Sequence, residues 1–191
     1  SQLPEGIVVQ FHNNGEPLLY PRLGDAVRLF KKQIKCLNTN AKLIVEKADE
    51  IIDNLDTITI SVIEKDPEAD EQYELVKKFL EIKGKRKPNI IFRCLGDVDQ
   101  VRWMQLGGII ATRILHNPMG SFKYKKNPTV PDIGICLEIL THMAIDRLGK
   151  VSICVRFDPK RLGVIGDANE EKLIDIWNGA KRREWVMYHI Q

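Results

Sequence analysis

Asn14-Gly15-Glu16-Pro17 places a carboxylate directly after a glycine and before a proline. A glycine lets backbone approach a ligand closely. A carboxylate beside it can accept charge-assisted hydrogen bonds from a ligand ammonium group. The same four residues also suit a strand-to-helix turn, so the spacing leaves both roles open. A second pattern is Cys136, twelve residues, Gly149, four residues, Cys154. Thiolates brought together across a turn could share a metal or an iron–sulfur cluster. Two ligands do not complete such a site, and cysteine also serves as a small buried residue. Cys36 and Cys94 fall inside apolar runs and are expected in the core. His12, His116, His142 and His189 show no HxxH or HExxH spacing, which gives a zinc hydrolase no support. Asp97, Asp99, His116 and Asp132 are loop residues that could take a proton, or simply be solvated.

These residues need a scaffold, and the first two thirds of the chain alternate strand-like and helix-like segments. Ile7–Phe11 reads as a short buried strand, broken by residues 13–17. Residues 22–33 carry Leu23, Ala26, Val27 and Phe30 at helical spacing. A strand over Ile34–Asn38, a helix over 42–53 and a strand over Thr57–Val62 follow. Residues 69–83 form a helix with Tyr73, Val76, Phe79 and Leu80 on one face, ended by the basic loop Lys83–Pro88. Strands are expected at Asn89–Leu95 and Ile109–Leu115, with an unreadable stretch around Trp103 between them.

Strand, helix, strand at this spacing predicts right-handed βαβ units and a parallel sheet, an α/β fold. Ligands of such sheets sit at the C-terminal ends of the strands. That selects the loops at 12–17, 38–41, 61–68, 95–100 and 116–120. The pattern changes near Pro118, and Lys123–Pro131 reads as a linker. Beyond it, Ile135–Asp146 and Lys150–Phe157 flank Arg147-Leu148-Gly149 as the arms of a hairpin. Asn169 is the expected N-cap of a helix over Glu170–Asn178, and Lys181–Ile190 is a last helix. The expected organisation is therefore a parallel α/β domain over 1–122 and a small α+β hairpin-and-helix extension over 123–191.

Composition narrows the class. The chain has 191 residues, 43% hydrophobic and 29% charged, which excludes disorder. Its 29 Lys and Arg against 26 Asp and Glu leave a net charge of +3, too little to imply nucleic acid. No apolar run approaches the roughly 18 residues of a membrane span, and no signal peptide is visible at Ser1–Gly6. Four cysteines are too sparse for a secreted disulfide scaffold, so a reduced, cytoplasmic setting is expected.

Taken together the motifs resemble the radical S-adenosylmethionine enzymes that carry a SPASM or "twitch" extension. Asn14-Gly15-Glu16-Pro17 is similar to their GGEP-type motif, with Asn14 in place of a glycine. Thr39-Asn40-Ala41 is similar to their Thr-Asn-Gly turn. Cys136, Met143–Asp146, Gly149–Cys154, Asp158, Gly166-Asp167 and Ile176-Trp177-Asn178 follow the order of the extension. The resemblance implies a partial (β/α) barrel that binds S-adenosylmethionine and a [4Fe–4S] cluster. It implies that Asn14, Gly15, Glu16, Pro17, Thr39 and Asn40 bind that ligand, Gly15 and Glu16 contacting the methionine ammonium group. Ser61 would lie near the ribose and Arg93 would meet the carboxylate. Cys136 and Cys154 would ligate an auxiliary iron–sulfur cluster. The implied partners are a peptide or small-molecule substrate and an electron donor such as a flavodoxin or ferredoxin, with no nucleic acid and no membrane. The family's CxxxCxxC motif does not occur in these 191 residues, so the chain is expected to be a core fragment whose catalytic-cluster ligands lie elsewhere. Two other readings compete: a non-catalytic binding or scaffold protein of the same fold, and an ordinary βα-barrel enzyme gripping phosphate through residues 14–17.

Overall fold

The structure is a computed structural model that describes residues 2–12, 15–113, 136–155 and 160–190. The chain divides into two compact units, Leu3–Leu115 and His116–Gln191. Each is described by itself.

The first unit is a five-stranded parallel sheet. Its elements are β1 (Val8–Gln10), a 3-10 turn at Pro17–Leu19, α1 (Leu23–Arg28), β2 (Ile34–Thr39), α2 (Ala48–Ile51), β3 (Thr57–Ile63), α3 (Ala69–Lys83), β4 (Asn89–Leu95), α4 (Gln100–Met104) and β5 (Ile109–Arg113). The strands pair in chain order, β1-β2-β3-β4-β5, all parallel. With that order, right-handed crossovers place every connecting helix on the same side of the sheet. The packing agrees. Leu37, Ile58, Ile60, Val62, Ile90 and Phe92 join Val27, Ile44, Ile51, Val76, Phe79 and Trp103 in one core.

The other side of the sheet has a different composition. Register puts Gln10, Cys36 and Thr57 in one row, Asn38 with Thr59 in the next, and Ser61 with Arg93 in a third. All of these are half-buried or exposed. A parallel sheet covered on both faces is apolar on both. This second face is mixed: Val8, Ile34, Ile63, Ile91 and Ile109 share it with the polar residues.

Several helices differ from their expected extents. α3 and β4 coincide with the periodicity. The helix expected at 22–33 stops at Arg28, and Leu29 is exposed. The helix expected at 42–53 is mostly a chain of turns. Its bonds mix i−3 and i−4 partners (Ile44 to Ala41, Lys47 to Leu43, Ala48 to Val45), and only Ala48–Ile51 is regular. The adjacent β-branched pair Ile44-Val45 suits a helix poorly. The stretch around Trp103 is α4, capped by Asp99, whose carboxylate accepts from the Val101 and Arg102 amides. Trp103 anchors it against Tyr73 and Phe92. Asp99 is thus committed to a cap. Cys94 is buried as expected, but Cys36 is only half-buried and lies on the second face.

The second unit comprises α5 (Leu137–Thr141), β6 (Ala144–Ile145), β7 (Lys150–Ser152), β8 (Val164–Asp167), α6 (Leu173–Trp177) and α7 (Ala180–Ile190). β6, β7 and β8 form an antiparallel sheet over a core of Ile139, Val151, Ile153, Ile165 and Ile176. The expected hairpin is present but short, pairing Ala144 with Ser152 and Ile145 with Val151. Its first arm is not a strand back to residue 135: Leu137–Thr141 is a helical turn. Arg182 decides this, since its Nη2 donates to the carbonyls of Ile139 and Leu140 at the end of that turn. Asn169 does not cap a helix. Its Nδ2 donates to the Leu148 carbonyl and to Asp167, and α6 begins only at Leu173. Strand β8 was not visible in the sequence pattern. The linker at 123–131, His116 and Asp132 lie outside the described residues. Among the described residues no helix is long and apolar enough to cross a membrane.

Candidate functional site

Three loops meet at the C-terminal ends of β1, β2 and β3, and Glu16 ties two of them. Its Oε1 accepts from the Leu18 amide at 3.0 Å and the Thr39 hydroxyl at 2.6 Å. Its Oε2 accepts from the Asn40 amide at 2.8 Å. Thr39 Oγ1 in turn accepts from the Ala41 amide at 2.9 Å. Pro17 opens the 3-10 turn that Glu16 caps. Glu16 is therefore a turn residue, as the plainer reading of the sequence has it. An ionised carboxylate has about four lone-pair sites, and three are occupied here. One remains on Oε2 for a ligand donor.

Gln72 holds the third loop. Its Nε2 donates to the Asn40 carbonyl at 2.7 Å and to the Ser61 carbonyl at 3.0 Å. The side chain is 4% exposed and its Oε1 has no partner. Gly15 has φ +121°, a conformation that L side chains rarely adopt, which explains a glycine there. Ala41 occupies the left-handed region at φ +64° with its methyl fully buried. That geometry is the physical reason a glycine would also suit this turn. Asn14 lies outside the described residues.

Ser61 and Arg93 are register partners on the second face of the sheet. Arg93 is half-buried. Its Nε is buried without a hydrogen-bond partner, and no ion pair engages the guanidinium among the described residues. Burial first, and then the positive charge of Arg113, press its pKa downward. Near it stands His12. His12 Nε2 lies 3.2 Å from Asn38 Nδ2, and Asn38 Oδ1 accepts from Gln10 Nε2 at 3.0 Å. His12 Nδ1 is buried and unpartnered. Burial, then the Arg93 charge, lower the pKa of His12. The neutral ring is the form this environment favours.

The structure thus brings Glu16, Pro17, Thr39, Asn40 and, through Gln72, the Ser61 backbone into one loop cluster, and sets Arg93 beside Ser61 on the sheet face. Sequence reasoning gave no binding role to Gln10, His12, Asn38 and Gln72, although His12 and Asn38 fall in the loops it selected at 12–17 and 38–41. The first three had a signal: polar residues at alternate positions on strands otherwise apolar. Gln72 had none, being one polar residue among many on α3. Glu16 Oε2 is an acceptor of the type an ammonium group takes, and the Arg93 guanidinium a donor of the type a carboxylate takes.

In the second unit, Cys136 is exposed and stands at the N-cap position of α5, not on a strand. Cys154 lies two residues beyond β7, half-buried against the small core. Neither is in a disulfide. Thiolates are the donors an iron–sulfur cluster takes, so the residue types fit. Among the described residues no group of three or more His, Cys, Asp or Glu could hold a metal ion.

Gly149 makes the intervening turn possible. Its φ is +82°, and a Cβ there would run into the Asn169 side-chain amide. Asp146 Oδ1 accepts from the Leu148 and Lys150 amides, and Lys150 pairs with Asp167 at 2.5 Å. Gly166 leaves room for Ile176, whose side-chain carbons would lie 2.8–2.9 Å from a Cβ. Gly149, Cys154, Gly166, Asp167 and Trp177 are therefore spaced by one folded unit.

That unit has a known counterpart. Residues 136–190 match the SPASM family, an iron–sulfur cluster-binding domain. The matched span includes both Cys136 and Cys154, so the resemblance read from these motifs is supported across the C-terminal part of the chain. No curated protein matches the sequence. The crystal structure of selenomethionyl BtrN in an open conformation is similar over 98% of this chain and 86% of that one, at a TM-score of 0.35 and 12% identity.

Proposed function

We propose that this chain is the core of a radical S-adenosylmethionine oxidoreductase with an auxiliary iron–sulfur cluster in its C-terminal unit. The observation that carries the reading is the SPASM match, which spans both Cys136 and Cys154. The unpartnered buried nitrogens of His12 and Arg93 support it. When bound, S-adenosylmethionine and a reduced [4Fe–4S] cluster supply a 5′-deoxyadenosyl radical that abstracts hydrogen from a substrate.

The chain's own residues bind and orient. Glu16 holds the loops after β1 and β2 together and offers its remaining lone pair to the ligand ammonium group. Thr39 and Asn40 fix the carboxylate of Glu16 in place. Gln72 fixes the end of β3, where Ser61 faces the ribose. Arg93 meets the ligand carboxylate. Cys136 and Cys154 donate thiolates to the auxiliary cluster. The substrate class is a peptide or small molecule, and the reductant is a flavodoxin or ferredoxin.

The test uses the complete protein, reconstituted anaerobically with iron and sulfide. Cys136→Ala and Cys154→Ala should each lower bound iron and the visible charge-transfer absorbance, and the protein should form 5′-deoxyadenosine under a reductant. Unchanged iron in both variants overturns the auxiliary site. Normal iron with no 5′-deoxyadenosine would favour the scaffold reading.

A further inference from the structure

Cys136 stands immediately before α5, and Arg182 on α7 holds the far end of that turn. The last carbonyls of a helix have no partner within it. In α5 the Leu137 carbonyl accepts from the Thr141 hydroxyl at 2.9 Å, and the Glu138 carbonyl from the His142 amide at 2.9 Å. The next two carbonyls, of Ile139 and Leu140, accept from Arg182 Nη2 at 3.2 and 3.1 Å. The same guanidinium donates through Nη1 to the Trp177 carbonyl at 3.4 Å and lies 3.4 Å over the Trp177 ring. From α7 it therefore fastens α5 to the end of α6.

The other contacts of α5 are weak or indifferent to its conformation. Glu138 and His142, 3.6 Å apart, are about half-exposed, and such pairs contribute little. Ile139 is buried in the small core, but an alternating strand would bury it as well. The two bonds from Arg182 select the turn. Leu140 and Cys154 pack on that same core.

We propose that Arg182 is a positioning residue for the Cys136 thiolate. By fastening α5 on the core that Cys154 borders, it fixes the course of the chain at residue 136, and with it one ligand of the auxiliary cluster. The inference rests on the auxiliary-site reading above. Arg182 acts through the backbone of the turn. A guanidinium suits the place because two N–H groups answer two carbonyls while its face stacks on the indole. Lysine, a point charge without a planar face, does not reproduce that fork.

The test uses the complete protein, metal-free and anaerobically reconstituted. In metal-free Arg182→Gln, hydrogen exchange at the His142 amide, which bonds the Glu138 carbonyl, should quicken at least about tenfold. Exchange at the Asp146 amide, which bonds the Lys150 carbonyl in the hairpin, should change less than about twofold. In the reconstituted protein the auxiliary iron is the fraction that Cys136→Ala fails to hold. Arg182→Gln should surrender it at about ten- to hundredfold lower chelator concentration, the range for a group that orients a ligand. Arg182→Lys should fall between. Arg183→Gln, which removes the same charge from an exposed position of α7, should match the unmutated protein. Unchanged exchange at His142, equal quickening at His142 and Asp146, or full iron retention in Arg182→Gln each overturns the positioning role while the auxiliary site stands. If Cys136→Ala holds as much iron as the unmutated protein, the auxiliary-site reading fails and the inference falls with it. Should melts followed by Trp177 and Trp185 show Arg182→Gln unfolded, Arg182→Lys carries the same comparisons.

Discussion

The two units hold their candidate sites by different means. In the sheet unit, eighteen buried residues form one core, and the site is whatever the opposite face of the same strands presents. In the hairpin unit, five buried residues form the core among the described residues, and the turn between the two thiols depends on polar clamps. Asp146 holds the Leu148 and Lys150 amides, Asn169 holds the Leu148 carbonyl, Lys150 pairs with Asp167, and Arg182 lies 3.4 Å over the Trp177 ring. Each unit carries a buried guanidinium nitrogen without a partner, Arg93 Nε in the first and Arg182 Nε in the second, whose cost packing must offset. A small core leaves every clamp significant.

This contrast can be broken by core truncation. Phe79→Ala, at a fully buried position, should cost about 3–5 kcal/mol and lower the unfolding transition of the sheet unit. Ile176→Ala, with a nominal cost of about 2–5 kcal/mol, should do more harm. It removes one of the five core residues among those described and should abolish the cooperative transition of the hairpin unit. Denaturant melts followed by Trp103 for the first unit, and by Trp177 and Trp185 for the second, separate the two. Equal tolerance in both units would remove the contrast.

Gly149→Ala should come next. A left-handed alanine costs about 1–2 kcal/mol, and its methyl would displace the Asn169 amide that clamps Leu148. The loss should appear in the Trp177 and Trp185 signals and leave that of Trp103 unchanged.

Acid should distinguish the units more gently. Lys150 first, and then the Asn169 amide, hold the Asp167 carboxyl below its ordinary value of 3.8. A carboxylate depressed in the folded state contributes stability above its unfolded pKa, and that contribution is lost as pH falls through the folded value. The hairpin unit should therefore weaken below about pH 4. Asp167→Asn should be less stable at neutral pH and should flatten the acid limb. An acid limb identical in the variant would show that the pair contributes nothing.

Ala41→Gly should have the smallest effect. Relief of left-handed backbone is worth about 1 kcal/mol, and loss of a buried methyl costs about 0.8 kcal/mol. The midpoint of urea unfolding should scarcely move. A clear gain would mean that the methyl makes poor contacts.

Much of this was legible in the residues. β-branched runs at regular spacing specified the parallel sheet, and the 3.6-residue spacing of Tyr73, Val76, Phe79 and Leu80 specified α3. The glycines and cysteines of the C-terminal pattern identified the hairpin, because Gly149 alone permits its turn. Loop residues whose types answer to backbone conformation, such as Gly15 and Ala41, were also readable.

Other features were decided only in three dimensions. Leu137–Thr141 is helical because Arg182, more than forty positions away, meets its carbonyls; its local pattern serves strand or helix equally. Asn169 is a clamp because Leu148 is brought to it by β8, which has no periodic signal of its own. Gln10, Asn38, His12 and Arg93 come from three strands, and only register aligns them on one face. Local propensity fixes which residues extend and which coil. Partners distant in sequence meet only through packing, and so the unpartnered nitrogens of His12 and Arg93 are properties of the fold.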